Sequence, residues 1–280
     1  MNILSIQSSV VFGHVGNSAA VFPLQRLGFE VWAINTVHLS NHPAHGSFRG
    51  RTSEPQDLNE LVRGLSERGV LRDCAAVLSG YLGSAANGGV VLDAVRTVKA
   101  ANPHAIYCCD PVMGESERGY YVAAGIPAFF AEQALPLADI LLPNRFEIEV
   151  LAGRPCPDLA SSVSAAVSLL ARGPKLIVIT GLPIGGRRIA AVAVDGTGAW
   201  VVDVPRLALS AHGAGDTFAA LFLGQYLKRR SPGIALARAM SAQHAIMRAS
   251  ARRGGAELEV IAAQDAFAHP KTLFKAKRLR

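Results

Sequence analysis

The stretch SAHGAGDTFAALFLG (residues 210–224) places three small residues before one carboxylate and an apolar run. Phe218, Leu221 and Phe222 recur at intervals of three and four, which predicts a helix that packs on a core and begins near Asp216. A helix cap alone would explain an Asp at that point. It does not explain the glycines, which suit a sharp turn or a closely approaching ligand. Because glycines at a helix start form an anion site, the stretch predicts phosphoryl transfer with Asp216 as the base for an alcohol.

The composition indicates one globular domain over residues 1–280. Half of the residues are hydrophobic, 18% are charged, and no linker divides the chain. The four cysteines lack zinc-site or disulfide spacing. The first twenty residues do not resemble a signal peptide and no apolar run is long enough to span a bilayer, so we expect a cytoplasmic protein without a membrane partner.

The formal charge of +7 raises the question of nucleic-acid binding. Five basic residues lie within 271–280, and the others are scattered without interleaved aromatic residues. This distribution predicts a solvated basic tail and no nucleic-acid partner.

Apolar runs alternate with segments of helical periodicity over the first 181 residues. This alternation predicts an α/β fold with a mostly parallel sheet covered by helices on both faces. The apolar runs are 2–7, 31–35, 74–80, 105–110, 139–144 and 175–181, and the helical segments are 17–27, 56–68, 86–101, 126–134, 145–152 and 158–172.

The pattern changes after residue 187. Two runs joined by a turn at 196–198 predict antiparallel strands, 216–250 predicts two helices, and 257–268 a last one. The polar segment 35–54 is a candidate lid or, alternatively, a surface insertion without a role.

Ligands of such sheets bind beyond the carboxyl ends of the strands, which selects the polar residues at those ends. Asp110 suits water-mediated Mg²⁺ binding, or a simple turn before proline. Asn144 and Glu147 have the spacing of a capping box, which is compatible with Glu147 also serving a metal. Thr180 follows the apolar run LIVI (residues 176–179) and suits either a contact with phosphate or a turn at the end of the strand. The chain lacks a P-loop motif and a dinucleotide-binding G-x-G-x-x-G motif.

Three histidines cluster in the candidate lid, namely His38, His42 and His45. Without a carboxylate or cysteine at ligand spacing they are expected to be polar loop residues rather than a metal site. His212 stands beside the glycines and is a candidate substrate contact.

With these residues in place, the chain resembles the ribokinase-like superfamily through Gly213-Ala214-Gly215-Asp216. Within it, the chain is similar to pyridoxal kinases of the PdxY type through several further segments. These are 3–28, the NTV..SNH region (35–42), AVLSGYLGS (76–84), VKAANP (98–103), CDPVMG (109–114), PN..E (143–147) and AAQD (262–265).

The resemblance implies a ribokinase-like single domain that phosphorylates the 5′-hydroxymethyl group of pyridoxal with ATP, and also that of pyridoxine and pyridoxamine. It implies that Asp216 is the base and that the N–H groups of Gly213, Ala214 and Gly215 form an anion hole. It also implies a cytoplasmic homodimer that uses Mg²⁺, with K⁺ as a candidate monovalent cation. The implied substrate-binding residues are Ser8, Val15, His42, Tyr81, His212 and Asp216; the ATP-binding residues are Asp110, Tyr121, Asn144, Glu147, Thr180, Gly213 and Gly215; and the metal-binding residues are Asp110 and Glu147.

The chain departs from the family pattern in the lid. Relatives often carry SNHT-x-Y-G, whereas this chain has SNHPAHG with Pro43 and His45. Leu142 stands where some relatives carry Thr near a monovalent-cation site. Pro43 and His45 motivate one alternative, a kinase for hydroxymethylpyrimidine or another small alcohol. A non-catalytic pyridoxal phosphate binding protein is an alternative of another class.

Overall fold

A computed structural model describes residues 1–209, 211–254 and 257–279. The strands are β1 (Asn2–Phe12), β2 (Glu30–Asn41), β3 (Gly50–Thr52), β4 (Cys74–Ser79), β5 (Ile106–Cys109), β6 (Gly114–Glu115), β7 (Gly119–Tyr120), β8 (Ile140–Leu141), β9 (Leu176–Pro183), β10 (Arg188–Asp195), β11 (Gly198–Pro205) and β12 (Lys277–Leu279). The helices are α1 (Asn17–Arg26), α2 (Pro55–Glu67), α3 (Ala85–Ala101), α4 (Ile126–Phe129), α5 (Arg145–Ala152), α6 (Leu159–Leu170), α7 (Ala214–Arg229), α8 (Pro232–Arg253) and α9 (Gln264–Ala268).

In the described part of the chain, ten strands form one sheet in the order β12-β11-β10-β9-β8-β5-β4-β1-β2-β3. The six strands from β9 to β2 pair in parallel. The edges are antiparallel, with β3 on one side and β10 to β12 on the other. The predicted parallel sheet is thus the centre of a mixed sheet, and the antiparallel pair predicted after residue 187 is confirmed.

Two hydrophobic cores lie on opposite faces of this sheet. Leu4 and Ile6 of β1 belong to one core, and Ile3 of the same strand belongs to the other. This alternation follows from the two-residue period of a strand. Helices such as α3 cover the first face and α7 and α8 cover the second, which confirms the prediction of helices on both faces.

Helix α7 anchors the stretch that opened the sequence analysis. Phe218, Leu221 and Phe222 are all buried in the second core, as their spacing predicted. The helix begins at Ala214, so Asp216 lies within its first turn rather than at its start. Ser210, the first residue of that stretch, lies outside the described residues.

Strands occupy both ends of the candidate lid segment 35–54. β2 continues to Asn41 and pairs with β1 as far as Phe12, and the edge strand β3 returns antiparallel to β2. The β2–β3 connection, residues 42–49, is the part that leaves the sheet, and a 3₁₀ turn forms at Pro43–His45.

The predicted basic tail is docked along part of its length. Residues Lys277–Leu279 form β12 and pair antiparallel with Ala199 to Val201 of β11. Lys277 and Arg278 remain exposed, so the charge is solvated although the backbone is paired. No helix within the described ranges is long and apolar enough to cross a membrane.

Candidate active site

The first turn of α7 carries the predicted base. Gly213 is the N-cap in the left-handed conformation, at φ +82°. The first-turn N–H groups lack intrahelical acceptors and form the positive end of the helix dipole. Asp216 Oδ2 accepts a hydrogen bond of 2.9 Å from the N–H of Gly16, just before α1. Because Gly213 occupies the N-cap and Asp216 bonds another segment, capping α7 is not the role of this carboxylate.

Glycines allow the two helix starts to approach closely. A Cβ on Gly213 would lie 1.8 Å from the carbonyl oxygen of His14. A Cβ on Gly16, at φ +53°, would lie 2.1 Å from the carbonyl oxygen and 2.5 Å from Oγ of Ser8. The bare backbones therefore bring Ser8, Val15 and Asp216 to one point, where the chain turns from β1 into α1.

His212 and His42 meet beside this point. Their rings stack with centroids 4.0 Å apart and planes inclined by 20°. Burial and then the neighbouring His212 lower the pKa of His42 to about 4, and burial followed by Arg118 lowers the pKa of His212. The two rings therefore stack in the neutral form near neutral pH.

The departure from the family pattern at Pro43 has a local consequence. Pro43 is the first residue of the 3₁₀ turn, and Nδ1 of His42 accepts a hydrogen bond of 3.2 Å from the N–H of Ala44. A proline suits this position because its fixed φ is compatible with a helical turn and its missing N–H is not needed there. The turn presents His42 and His45 toward each other, with ring centroids 6.3 Å apart.

Tyr81 lies just beyond β4, and its carbonyl oxygen accepts a hydrogen bond of 2.6 Å from Oγ1 of the fully buried Thr36. Partial burial raises the pKa of the Tyr81 phenol. The described contacts thus tie Tyr81 to β2, while Ser8, Val15, His42 and His212 are tied to the start of α7.

A second group forms around Glu147, which is almost fully buried. The predicted capping box is confirmed: Asn144 Oδ1 accepts from the N–H of Glu147, and Glu147 Oε2 accepts from the N–H of Asn144 at 2.8 Å. Glu147 Oε1 accepts from the N–H of Met113 at 3.0 Å. Asn144 also donates to the carbonyl of Gly114, so the start of α5 fixes both the carboxylate and the segment that follows Asp110.

Asp110 leaves β5 where its N–H donates to the carbonyl of Ser79 in β4. The side chain is only 7% exposed, and no donor among the described residues bonds its carboxylate. Burial raises its pKa well above the ordinary value, and Glu147 and Asp216 raise it further. The carboxylates of Asp110, Glu147 and Asp216 are therefore close enough to repel one another.

The pKa of Glu147 is shifted by burial and by a neighbouring carboxylate as well. Burial raises the pKa of Glu147 to about 8, although three backbone N–H groups, those of Asn144, Met113 and Gly114, lower it, and Asp216 raises it further. The pKa of Asp216 is also raised by burial, against the lowering by its Gly16 hydrogen bond. Removing this repulsion requires either protons or a bound cation.

This donor set fits Mg²⁺. Mg²⁺ keeps several waters and uses one or two protein carboxylates together with substrate phosphates. Among the described residues no donor competes for the carboxylate of Asp110, whereas both oxygens of Glu147 are already engaged. Asp110 therefore suits direct binding and Glu147 suits binding through water. Within ranges 1–209, 211–254 and 257–279, no group of three or more His, Cys, Asp or Glu is arranged to hold a metal alone.

Thr180 and Tyr121 flank this carboxylate group. Thr180 forms a parallel bridge with Asn144, and its N–H donates to the carbonyl of Pro143 at 3.0 Å. Tyr121 is half exposed, and its N–H donates to the carbonyl of Met113. Partial burial and then Glu147 raise its pKa.

Two features of the site were missed from the sequence. Gly16, which donates to Asp216, belongs to no motif that marks it in the sequence, although Gly13 and Gly16 just after a strand could have indicated a tight turn. The hairpin of β6 and β7 was not predicted, because its strands have two residues each and carry no periodicity.

The predicted site residues do not line either of two surface cavities in the described part of the chain. One, of about 550 Å³, is lined by β1, β2 and β3 residues including Val11, His38 and Arg51. The other, of about 270 Å³, is lined by residues of α1, α7 and α8 including Arg26 and Arg238. The candidate site is identified by its chemistry and not by cavity size.

Comparisons with known proteins agree with this arrangement. Residues 62–260 match the family model described as phosphomethylpyrimidine kinase. The chain is 49% identical to the pyridoxal kinase PdxY of Rubrobacter xylanophilus over 100% of this chain and 98% of that protein. It is 46% identical to the pyridoxal kinase PdxY of Deinococcus radiodurans over 99% of this chain and 96% of that protein.

A solved structure of a pyridoxal kinase also resembles this chain. The pyridoxal kinase of Leishmania donovani in complex with ADP and pyridoxamine superimposes with a TM-score of 0.94 at 31% identity, covering 100% of this chain and 99% of that one. The ribokinase-like fold expected from the sequence is thereby confirmed. The chain belongs to the phosphomethylpyrimidine kinase family and, within it, to the pyridoxal kinases of the PdxY type.

Proposed function

We propose that this protein transfers the γ-phosphoryl group of ATP to the 5′-hydroxymethyl group of pyridoxal, and also to that of pyridoxine and pyridoxamine. The observation that carries the proposal is Asp216, which lies in the first turn of α7 and accepts a hydrogen bond from Gly16. Its charge raises the pKa values of Asp110 and Glu147. A phosphate-binding helix start, a base and a cation site are the parts that phosphoryl transfer requires.

Asp216 is the proposed general base. Its Oδ2 is engaged by Gly16, which leaves Oδ1 to accept the proton of the substrate hydroxyl. A primary alcohol loses this proton only as it attacks phosphorus, so the transfer is concerted with attack. The raised pKa of Asp216 brings its basicity closer to that of an effective acceptor near neutral pH.

The N–H groups of Gly213, Ala214 and Gly215 are the proposed anion hole. They stabilise the charge that spreads over the transferring phosphoryl oxygens, and they do so without reorganisation because the helix already holds them. Gly215 has open space around the position of a Cβ, which is compatible with close approach of a phosphate.

Asp110 and Glu147 are the proposed Mg²⁺ residues. The bound cation would neutralise phosphate charge and align the phosphates for transfer. Asn144, Thr180 and Tyr121 are proposed to contact the nucleotide, since all three surround this carboxylate group. K⁺ is a candidate monovalent cation from the resemblance alone, and Leu142, which stands where some relatives carry Thr, argues against it.

The vitamer is proposed to lie on the other side of Asp216. Ser8 and Val15 line the turn between β1 and α1, His42 and His212 provide a neutral aromatic wall, and Tyr81 lies at the end of β4. Flat neutral rings suit a pyridine ring, which stacks on aromatic surfaces.

Asp216→Asn tests the proposed chemistry. This variant keeps the shape of the side chain and an acceptor for Gly16, but it cannot take a proton. We expect unchanged ATP binding and a turnover lower by roughly two to four orders of magnitude, the range for loss of a general base. Near-normal turnover would falsify the role of Asp216, and pyridoxal binding without ADP release in the wild type would favour the non-catalytic binding protein.

We further propose that the protein is a homodimer that acts in the cytoplasm. The resemblance supports this assembly, and sedimentation velocity tests it. A monomer at the concentration used for the activity assays would contradict it.

A further inference from the structure

Glu257 joins two segments that lie far apart in the sequence. Its Oε2 accepts a hydrogen bond of 3.2 Å from the N–H of His14, in the turn between β1 and α1. Its Oε1 lies 2.9 Å from Nε2 of His45, in the β2–β3 connection. One carboxylate therefore bridges the turn that carries Gly16 and the connection that carries His42.

The backbone is adapted to this bridge. Gly13 has φ +95°, and a Cβ on it would lie 2.3 Å from Oε2 of Glu257. The carboxylate thus packs on bare backbone that no other residue could supply. The side chains of His45 and Glu257 are 26% and 25% exposed, so the contact between them is largely shielded from water.

His45 also links Glu257 to the start of α7. Its ring centroid lies 6.3 Å from those of His42 and His212, and Phe12 packs edge-on against it at 5.9 Å. Since His212 directly precedes Gly213, Glu257 reaches both segments that the Gly16–Asp216 hydrogen bond joins. It contacts the β1–α1 turn directly at His14 and the start of α7 indirectly through His45.

We propose that Glu257 and His45 are positioning residues that form a latch, which holds the β2–β3 connection and the β1–α1 turn against the start of α7. The inference rests on the proposed function, because it states how the same site holds its alcohol substrate. The described contacts of Glu257 and His45 lie on the proposed substrate side, whereas Asp110 and Glu147 are held by β4 and by the start of α5. Breaking the latch should therefore weaken vitamer binding and leave ATP binding unchanged.

The test compares Glu257→Ala with a matched control, Glu259→Ala. Glu259 lies two residues on, is 24% exposed and pairs with Arg253 at 3.1 Å, away from the latch. We expect Glu257→Ala to raise KM for pyridoxal about tenfold, the size expected for losing one hydrogen bond to a carboxylate, with KM for ATP unchanged. We expect the control to leave both constants at the wild-type value.

Two further variants separate positioning from general stability. Glu257→Gln keeps the size of the side chain and an acceptor for His14, so it should restore most of the pyridoxal KM. His45→Ala should raise KM for pyridoxal by no more than Glu257→Ala does, because it leaves the His14 hydrogen bond in place. The double variant should be no worse than Glu257→Ala, because that variant already removes the contact with His45. Additive losses in the double variant, or equal effects of Glu257→Ala and Glu259→Ala, would overturn the latch.

Hydrogen exchange tests the latch independently of the substrate. Glu257→Ala should speed exchange of backbone amides in residues 13–16 and 42–49, whereas Glu259→Ala should not. Unchanged exchange in these segments would overturn the latch even if pyridoxal is phosphorylated. Faster exchange in a protein that does not phosphorylate any vitamer would support the latch and refute the proposed function.

Discussion

Replacing Gly213 by alanine tests how closely the two helix starts must approach. A Cβ at this position would lie 1.8 Å from the carbonyl oxygen of His14, where ordinary contact begins at 3.4 Å. Backbone atoms cannot swing aside as a flexible side chain can. The two segments must therefore separate by about 1.6 Å to restore ordinary van der Waals contact.

That separation would displace the hydrogen bond between Gly16 and Asp216. Gly16 follows His14 by two residues and bonds Asp216 in the first turn of α7. A misplacement of about 1 Å costs roughly 10²-fold in rate when the reacting groups must be aligned. We therefore expect Gly213→Ala to lower kcat at least about a hundredfold.

Gly28→Ala is the matched control. Gly28 has φ +87°, close to the +82° of Gly213, and among the described residues beyond its two chain neighbours no heavy atom lies within 4 Å of its Cβ position. Each substitution forces alanine into the left-handed region, which costs roughly 1–2 kcal/mol. Urea unfolding should show this loss in both variants, and coupled ADP release should show a loss of turnover only in Gly213→Ala. Equal turnover of the two variants would refute the reasoning.

Three other predictions concern buried polar groups. The pKa of Glu147 rises from 4.5 to about 8 on folding, so its contribution to metal-free stability is present below pH 4.5 and is lost as the pH rises through 8. Glu147→Gln should therefore flatten the dependence on pH of the free energy of urea unfolding, measured in EDTA, and the same pH dependence as in the wild type would refute this. Asp110→Asn should raise the Mg²⁺ concentration for half-maximal turnover about tenfold or more, and a titration that superimposes on the wild type would contradict the metal role. Asn87→Ala should destabilise the protein by about 2–3 kcal/mol, because the buried Nδ2 of Asn87 lies 3.2 Å from the carbonyl oxygen of Ser53 and 3.1 Å from that of Leu82. A variant that unfolds at the same temperature as the wild type would contradict this.

The sequence predicted the parts of the fold that local periodicity encodes. Segments such as 145–152 and 86–101 coincide with α5 and α3 to within a residue, because an amphipathic helix repeats its pattern every few residues. The capping box of Asn144 and Glu147 was predicted for the same reason, since both partners lie within one turn.

Contacts between distant segments could not be predicted in this way. The Gly16–Asp216 bond spans 200 residues, and the His14–Glu257 bond spans 243. Strand β12 was missed because its three residues are specified by the exposed edge of β11 rather than by their own composition. Likewise, Glu257 has no local motif, and only the structure shows that it meets His45.

The central claim is tested most directly by coupled ADP release with Mg-ATP, with pyridoxal, pyridoxine, pyridoxamine and hydroxymethylpyrimidine measured side by side. We expect strong turnover with pyridoxal, which would show that Pro43 and His45 are compatible with this substrate. If hydroxymethylpyrimidine or another alcohol raises ADP release while none of the three vitamers does, the fold and the phosphoryl-transfer chemistry stand and the proposed substrate is wrong.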